Sequence, residues 1–201
     1  PRGVAITLTP FEPAEIWPLV IAALDKRPAL LAPFVTRPTE TVPDRAALGL
    51  AGAEKAVQGI YKLVEGHPGK KPYHGTIVLQ GSEVGISFVY DVLPVLREKG
   101  LNLNVYYVAS AELFDLLPDN QKEAVYPDAR AREAMGITGF TLPTMYRWVT
   151  SSEGRKRTIH PFKAGRFLGS GKAEKVLEEG GLHPKAIIDA ICDYAAYMDS
   201  E

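Results

Sequence analysis

The chain has 201 residues, 46% of them hydrophobic and 23% charged, with a formal net charge of −1 at pH 7. That size suits one large domain or a domain with part of another, and the composition is that of a folded core, not a disordered tail. Near-neutrality excludes a global field drawing it to nucleic acid or an anionic membrane, and no stretch reaches the ~18 unbroken apolar residues of a spanning helix.

Val4–Leu8 is a β-prone apolar run that predicts a buried strand. A strand this early, with nothing before it to cover it, reads as a chain cut from something longer. Pro13 and Glu15 suit a first helical turn, and Trp17, Val20, Ile21 and Leu24 then recur at helical spacing. Pro18 is tolerable only near that first turn, before its missing N–H is needed. Ala29–Val35 predicts a second strand, completing a β-α-β unit. From Thr36 to Gly75 prolines and glycines break the pattern, apart from a short strand at Ile60–Val64. A long irregular connection marks a linker or a functional loop, and we place a domain boundary near residue 70. Residues 1–70 then end one domain, and 71–201 form the next.

Thr76–Gln80 predicts a strand, Gly81-Ser82-Glu83 a turn, and Val84, Phe88, Val92 and Leu96 the buried side of a helix that stops at Gly100. Pro94 interrupts that helix unless a distortion accommodates it. Leu103–Ala109 predicts the next strand, Asp119–Ala124 a short helix, and Ala129–Glu133 and Thr158–His160 weak strands. The clearest helix is Pro184–Met198, with a core-facing stripe of Ile187, Ile191, Tyr194 and Met198. Apolar strands alternating with helices predict an α/β fold, a mostly parallel sheet covered on both faces.

Candidates for chemistry are few. Gly81-Ser82 lies between a strand and a helix, where doubly wound sheets bind ligands and free N–H groups attract anions. Taken by themselves, the same residues read first as a tight turn at Gly81 and a helix cap at Ser82. Gly165–Lys172 is glycine-rich and basic without P-loop spacing, which reads as a loop docking against a neighbour. Arg155-Lys156-Arg157 reads as a solvated loop. His67, His74, His160 and His183 show no metal-ligand spacing, and His160 reads as a satisfied structural histidine. Cys192, the one cysteine, cannot form an internal disulfide and reads as a small buried hydrophobe; with no leader pattern, a reducing, cytoplasmic setting is expected.

Several strings, in order, resemble the C-terminal half of transketolase. Residues 75–84 (GTIVLQGSEV) resemble the opening strand and turn of its last domain, and 105–115 (VYYVASAELFD) the second strand and following loop. Val125-Tyr126-Pro127 sits at a Val-Leu-Pro-like turn, and Arg166-Phe167 with 169–173 is similar to an Asp-Arg-Phe-Gly-x-Ser-Gly region. Upstream, residues 8–24 and 29–37 resemble the last β-α-β of the pyrimidine-binding domain, and 53–63 (AEKAVQGIYKL) the interdomain link.

The resemblance implies a three-layer α/β sandwich of the transketolase C-terminal type, preceded by a partial β-α-β unit. It implies an enzyme that moves two-carbon ketol units between sugar phosphates with thiamine diphosphate and magnesium, within a homodimer. Arg37 then corresponds to an arginine that grips the substrate phosphate, which a guanidinium can do through two charge-assisted hydrogen bonds. The alternative is a surface or interface arginine, since Pro38 replaces the glutamine that follows in the family. Gly165 likewise replaces an acid, and Leu168 is extra. No Gly-Asp pair occurs, so the diphosphate-and-magnesium motif is missing, and the cofactor-activating glutamate would lie before Pro1. No catalytic residue is therefore assigned; the isolated chain is expected to bind no cofactor or metal and to be inactive, its partner being the remainder of the enzyme.

Two alternatives stay open. Gly59–Leu63 is similar also to the homodimeric pyruvate dehydrogenase component, and the chain could be a non-catalytic module that binds an anion at Gly81-Ser82 or serves assembly.

Overall fold

A computed structural model describes residues 2–35 and 41–200. Two parallel strands open it, β1 (Ala5–Leu8) and β2 (Leu30–Pro33), joined by helix α1 (Ile16–Leu24). Pro18 falls in the first turn of α1, where no backbone donor is needed. Leu19 and Ala23 of α1 and Ile6 and Leu8 of β1 enter the main core, while Trp17, Ile21 and Leu24 face outward.

The second sheet has the order β3-β5-β4-β6, built from β3 (Ile60–Val64), β4 (Thr76–Gln80), β5 (Asn104–Val108) and β6 (Met135–Thr138). The two pairings among β5, β4 and β6 are parallel, and β3 is an antiparallel edge strand on β5. Thus Ile60–Val64, upstream of residue 70, is hydrogen-bonded into the sheet of the downstream segment. Alternation divides the sheet's faces. Ile77, Leu79, Val105 and Tyr107 join the main core, whereas Val78, Tyr106 and Val108 join a second core around Trp148, Tyr126 and Phe114. Helices cover both faces, which makes the three layers of an α/β sandwich.

On the first face, α2 (Ser82–Ser87) and α3 (Leu93–Glu98) form one continuous run through a π-helical turn, Phe88–Val92. That turn resolves the Pro94 problem. The Leu93 N–H bonds Phe88 O five residues back, and the widened turn ends just where proline takes the second position of α3, a first-turn site that needs no backbone donor. The terminal helix α9 (Pro184–Ser200) lies on the same side, burying Ile187, Ile191 and Tyr194. On the other face lie α4 (Ala111–Asp115), α5 (Asp119–Val125), α6 (Asp128–Glu133) and α7 (Ser152–Arg157), and α8 (Ala173–Glu179) precedes α9.

Two expectations fail locally, and one strand is unforeseen. Ala129–Glu133 is helical, not a strand: its Ala/Arg alternation imitates a period of two, but Ala, Arg and Glu are strong helix formers. Pro127 at the N-cap and the Arg130–Glu133 ion pair at 2.6 Å support the helix. Thr158–His160 contributes only a single parallel bridge, Ile159 to Ile137. Strand β6 was not legible; it has four residues, one of them Gly136, where a Cβ would lie 2.6 Å from Met145 Cε.

Candidate functional site

The chain runs from β4 to β5 on one side and then crosses to β6 on the other, so the connections reverse between β4 and β6. In open α/β sheets this is where ligands settle, at the carboxyl ends of the strands. The crevice here is closely bonded. Gly139 N donates to Gln80 O at 2.9 Å, and Gln80 Oε1 accepts from Thr138 Oγ1 at 3.0 Å and Thr144 Oγ1 at 2.7 Å. The Phe140 ring meets Phe34, just beyond β2, edge-on at 6.2 Å between centroids. The carboxyl ends of the two sheets therefore share one rim.

Gly81 takes φ +111°, a conformation that favours glycine, and turns the chain from β4 into α2. Ser82 is not the cap. It is buried as the first residue of the helix, and its hydroxyl donates to Pro10 O at 2.5 Å. That bond ties the loop after β1 to the start of α2. The group nearest the turn is the Glu83 carboxylate, whose Oε1 lies over Gly81 and Gly139. Burial raises the Glu83 pKa above its ordinary value, partly opposed by a bond from its own amide.

Arg37 lies outside the described residues. The chain on its near side reaches the Phe34–Phe140 contact, and on its far side Tyr90 OH donates to Thr41 O at 3.1 Å.

The other sequence candidates are dispersed. His74 is buried, and its Nδ1 accepts from Asn102 N at 2.8 Å. His160, expected to be satisfied, has a buried Nδ1 without a hydrogen-bond partner, as does His183. Burial and Lys163 lower the His160 pKa. Cys192 is half-buried, not buried. The basic triplet 155–157 is helical, with Arg155 stacked on Tyr146 and Arg157 on Tyr197, their centroid distances 4.6 and 4.5 Å. In the glycine-rich stretch Arg166 pairs with Glu179, and Phe167 leans on Phe162.

Sequence reasoning missed a buried ionic cluster. Glu15 and Glu12 both receive Arg45, at 2.7 and 2.8 Å, and Arg45 also donates to Ala51 O at 2.7 Å. Tyr61 OH and Phe11 N donate to Glu15 as well. The cluster pins the first β-α-β unit to β3 and the connecting segment. Glu15 signalled only a helix start, and nothing local pointed to Arg45, 30 residues away. Among the described residues no group of three or more His, Cys, Asp and Glu could hold a metal ion. Nor, among them, is any helix long and apolar enough to cross a membrane.

No family model matches the chain. It is 28% identical over 167 residues to the chloroplastic transketolase of Craterostigma plantagineum, which covers 82% of this chain and 28% of that protein. The transketolase of Pichia stipitis, solved with sedoheptulose 7-phosphate, superposes with a TM-score of 0.69 at 22% identity, covering 98% of this chain and 26% of that one. That of Leishmania mexicana gives 0.72 at 18% identity, covering 97% and 26%. A split-gene transketolase, an inactive β4 tetramer, gives 0.62 at 14% identity, covering 96% and 58%. The chain thus resembles a C-terminal region of transketolase and spans just over a quarter of the length of the curated relative it matches.

Proposed function

We propose that this chain, which resembles a C-terminal region of transketolase, is the C-terminal segment of an enzyme that moves two-carbon ketol units between sugar phosphates. The observation that carries this reading is coverage. The sequence match spans 82% of the chain, and superpositions span 96–98% across both sheets, a fold likeness that no single shared motif would produce.

In this reading Arg37 contacts the substrate phosphate, and the chain supplies part of a homodimer interface in a cytoplasmic enzyme. The Pichia relative's sugar phosphate supports the substrate class. A phosphate-binding arginine a few positions past β2 in the chain is in keeping with the carboxyl-end rule. The residues present do not fit the cofactor. The chain contains no Gly-Asp pair, and its described acids converge on no metal site. In this reading the chain alone supplies no step of the reaction and binds neither thiamine diphosphate nor magnesium. The split-gene neighbour, inactive as a tetramer, supports such a division of labour.

Calorimetry and a ketol-transfer assay test the reading. Alone, the chain takes up no thiamine diphosphate with magnesium. Joined to the rest of its enzyme, it converts xylulose phosphate and an aldose phosphate. Turnover of pyruvate in place of the ketose phosphate would replace this reading with that of a pyruvate dehydrogenase component.

A further inference from the structure

Beside the switch crevice is a cavity of about 370 Å³, the size of a small-molecule site. Its walls are apolar: Phe162, Phe167, Leu168, Leu177 and Leu182. One ionisable side chain lines it, Glu83. The floor beneath that carboxylate is formed by the residues immediately after β4 and β6, Gly81 and Gly139. A Cβ on Gly139 would collide with Glu83 Oε1, so the absence of a side chain there makes room for the carboxylate. Among the described residues Glu83 pairs with no cation and is bonded only by its own amide. Phe167 is 87% exposed, which leaves an aromatic ring without cover at the cavity mouth.

We propose that this cavity binds a small organic cation with an apolar body, an arylalkylammonium, its ring among the phenylalanines and leucines and its ammonium on Glu83. The chemistry follows from the parts. A half-buried carboxylate lacking a cationic partner gains most from a full positive charge, through charge-assisted hydrogen bonds. The walls reward apolar area and offer an anion nothing. Burial that raises the Glu83 pKa is the same deficit seen from the proton's side.

The test is titration of this chain at pH 7.5 with 2-phenylethylammonium and, as the neutral isostere, 2-phenylethanol, followed by calorimetry and amide NMR. The ammonium binds at least ~10-fold tighter than the alcohol, the discrimination expected of a charge-assisted bond. It shifts the Gly81 and Gly139 amides. Glu83→Gln brings the two ligands within about twofold, and Phe167→Ser weakens both alike by a few-fold, on the scale of lost apolar contact. No binding, equal binding of the two ligands, discrimination that survives in Glu83→Gln, or shifts confined to other amides would each overturn the proposal. The NMR map needs no variant, so the outcome stands even where a substitution impairs folding.

Discussion

The Tyr194 hydroxyl closes a bond to Thr76 across 118 residues, accepting the Thr76 N–H at 3.0 Å while donating to Glu133 O at 2.6 Å. One oxygen on the terminal helix thereby serves the first residue of β4, which is buried, and the last of α6, which is half-buried. Around it, Glu133 Oε1 accepts from Tyr73, Thr76 and Arg130 at 2.5 to 2.6 Å, and burial with Glu133 beside it pushes the Tyr73 hydroxyl up to about 12. Tyr194→Phe keeps the ring but leaves the buried Thr76 N–H, and the half-buried Glu133 carbonyl, without this partner. Urea unfolding is expected to show a loss of about 1–3 kcal/mol with little change in m-value. A loss below about 0.5 kcal/mol would mean that water replaces the hydroxyl.

Among the described residues Arg45 is the sole cation of the buried cluster around Glu12 and Glu15, whose side chains are fully buried. Arg45→Met strands two carboxylates and is expected to cost about 3–5 kcal/mol. Adding Glu15→Gln removes one of the stranded charges, so the double variant is more stable than the sum of the single changes predicts. Simple additivity in denaturant melts would show that the three groups do not act as a unit.

Glu83 sets a pH dependence. Its folded pKa is raised by burial, so the folded state holds the proton more tightly than the unfolded chain does. The associated stability is fully present below the unfolded pKa, near 4.5, and is lost as pH rises through the folded value. Glu83→Gln cannot ionise and escapes that loss. The variant's melting temperature relative to the natural chain is expected to climb between pH 4 and pH 8. A difference that stays flat, or falls, across that interval contradicts a desolvated carboxylate.

The fold was legible where side-chain pattern and backbone agree. Ile60–Val64 and Thr76–Gln80 have the bounds read from the sequence, because apolar β-prone runs flanked by glycine and proline leave few other structures. Met135–Thr138 was opaque because a four-residue strand with an internal glycine has no pattern of its own; Ile77 to Gln80 of β4 and the Ile159 bridge define it. At the site, sequence marked the Gly81 turn correctly but assigned Ser82 a cap role that its bond to Pro10 O forecloses. Glu83 and Gly139 are 56 positions apart in the numbering, and no local signal joins them; their contact exists only once β4 and β6 are neighbours. The Glu15–Arg45–Tyr61 cluster was hidden for the same reason.

Arg37 tests the functional reading most directly. If it grips the phosphate of a ketose or aldose substrate, the contact is made in the ground state and kept in the transition state. Removing it then weakens binding throughout the reaction without altering the chemical step. In the reconstituted enzyme, Arg37→Ala is expected to raise KM for sugar phosphates ~10–150-fold, from the ~1.5–3 kcal/mol of a hydrogen bond to a charged group, with kcat within a few-fold. Arg37→Lys retains the charge but not the paired donors and should recover only part of that loss. A phosphate-free ketose donor supplies the control, because its KM has nothing to lose at this position. Equal increases for the phosphorylated and phosphate-free donors would remove Arg37 from the substrate site and leave it as an interface arginine.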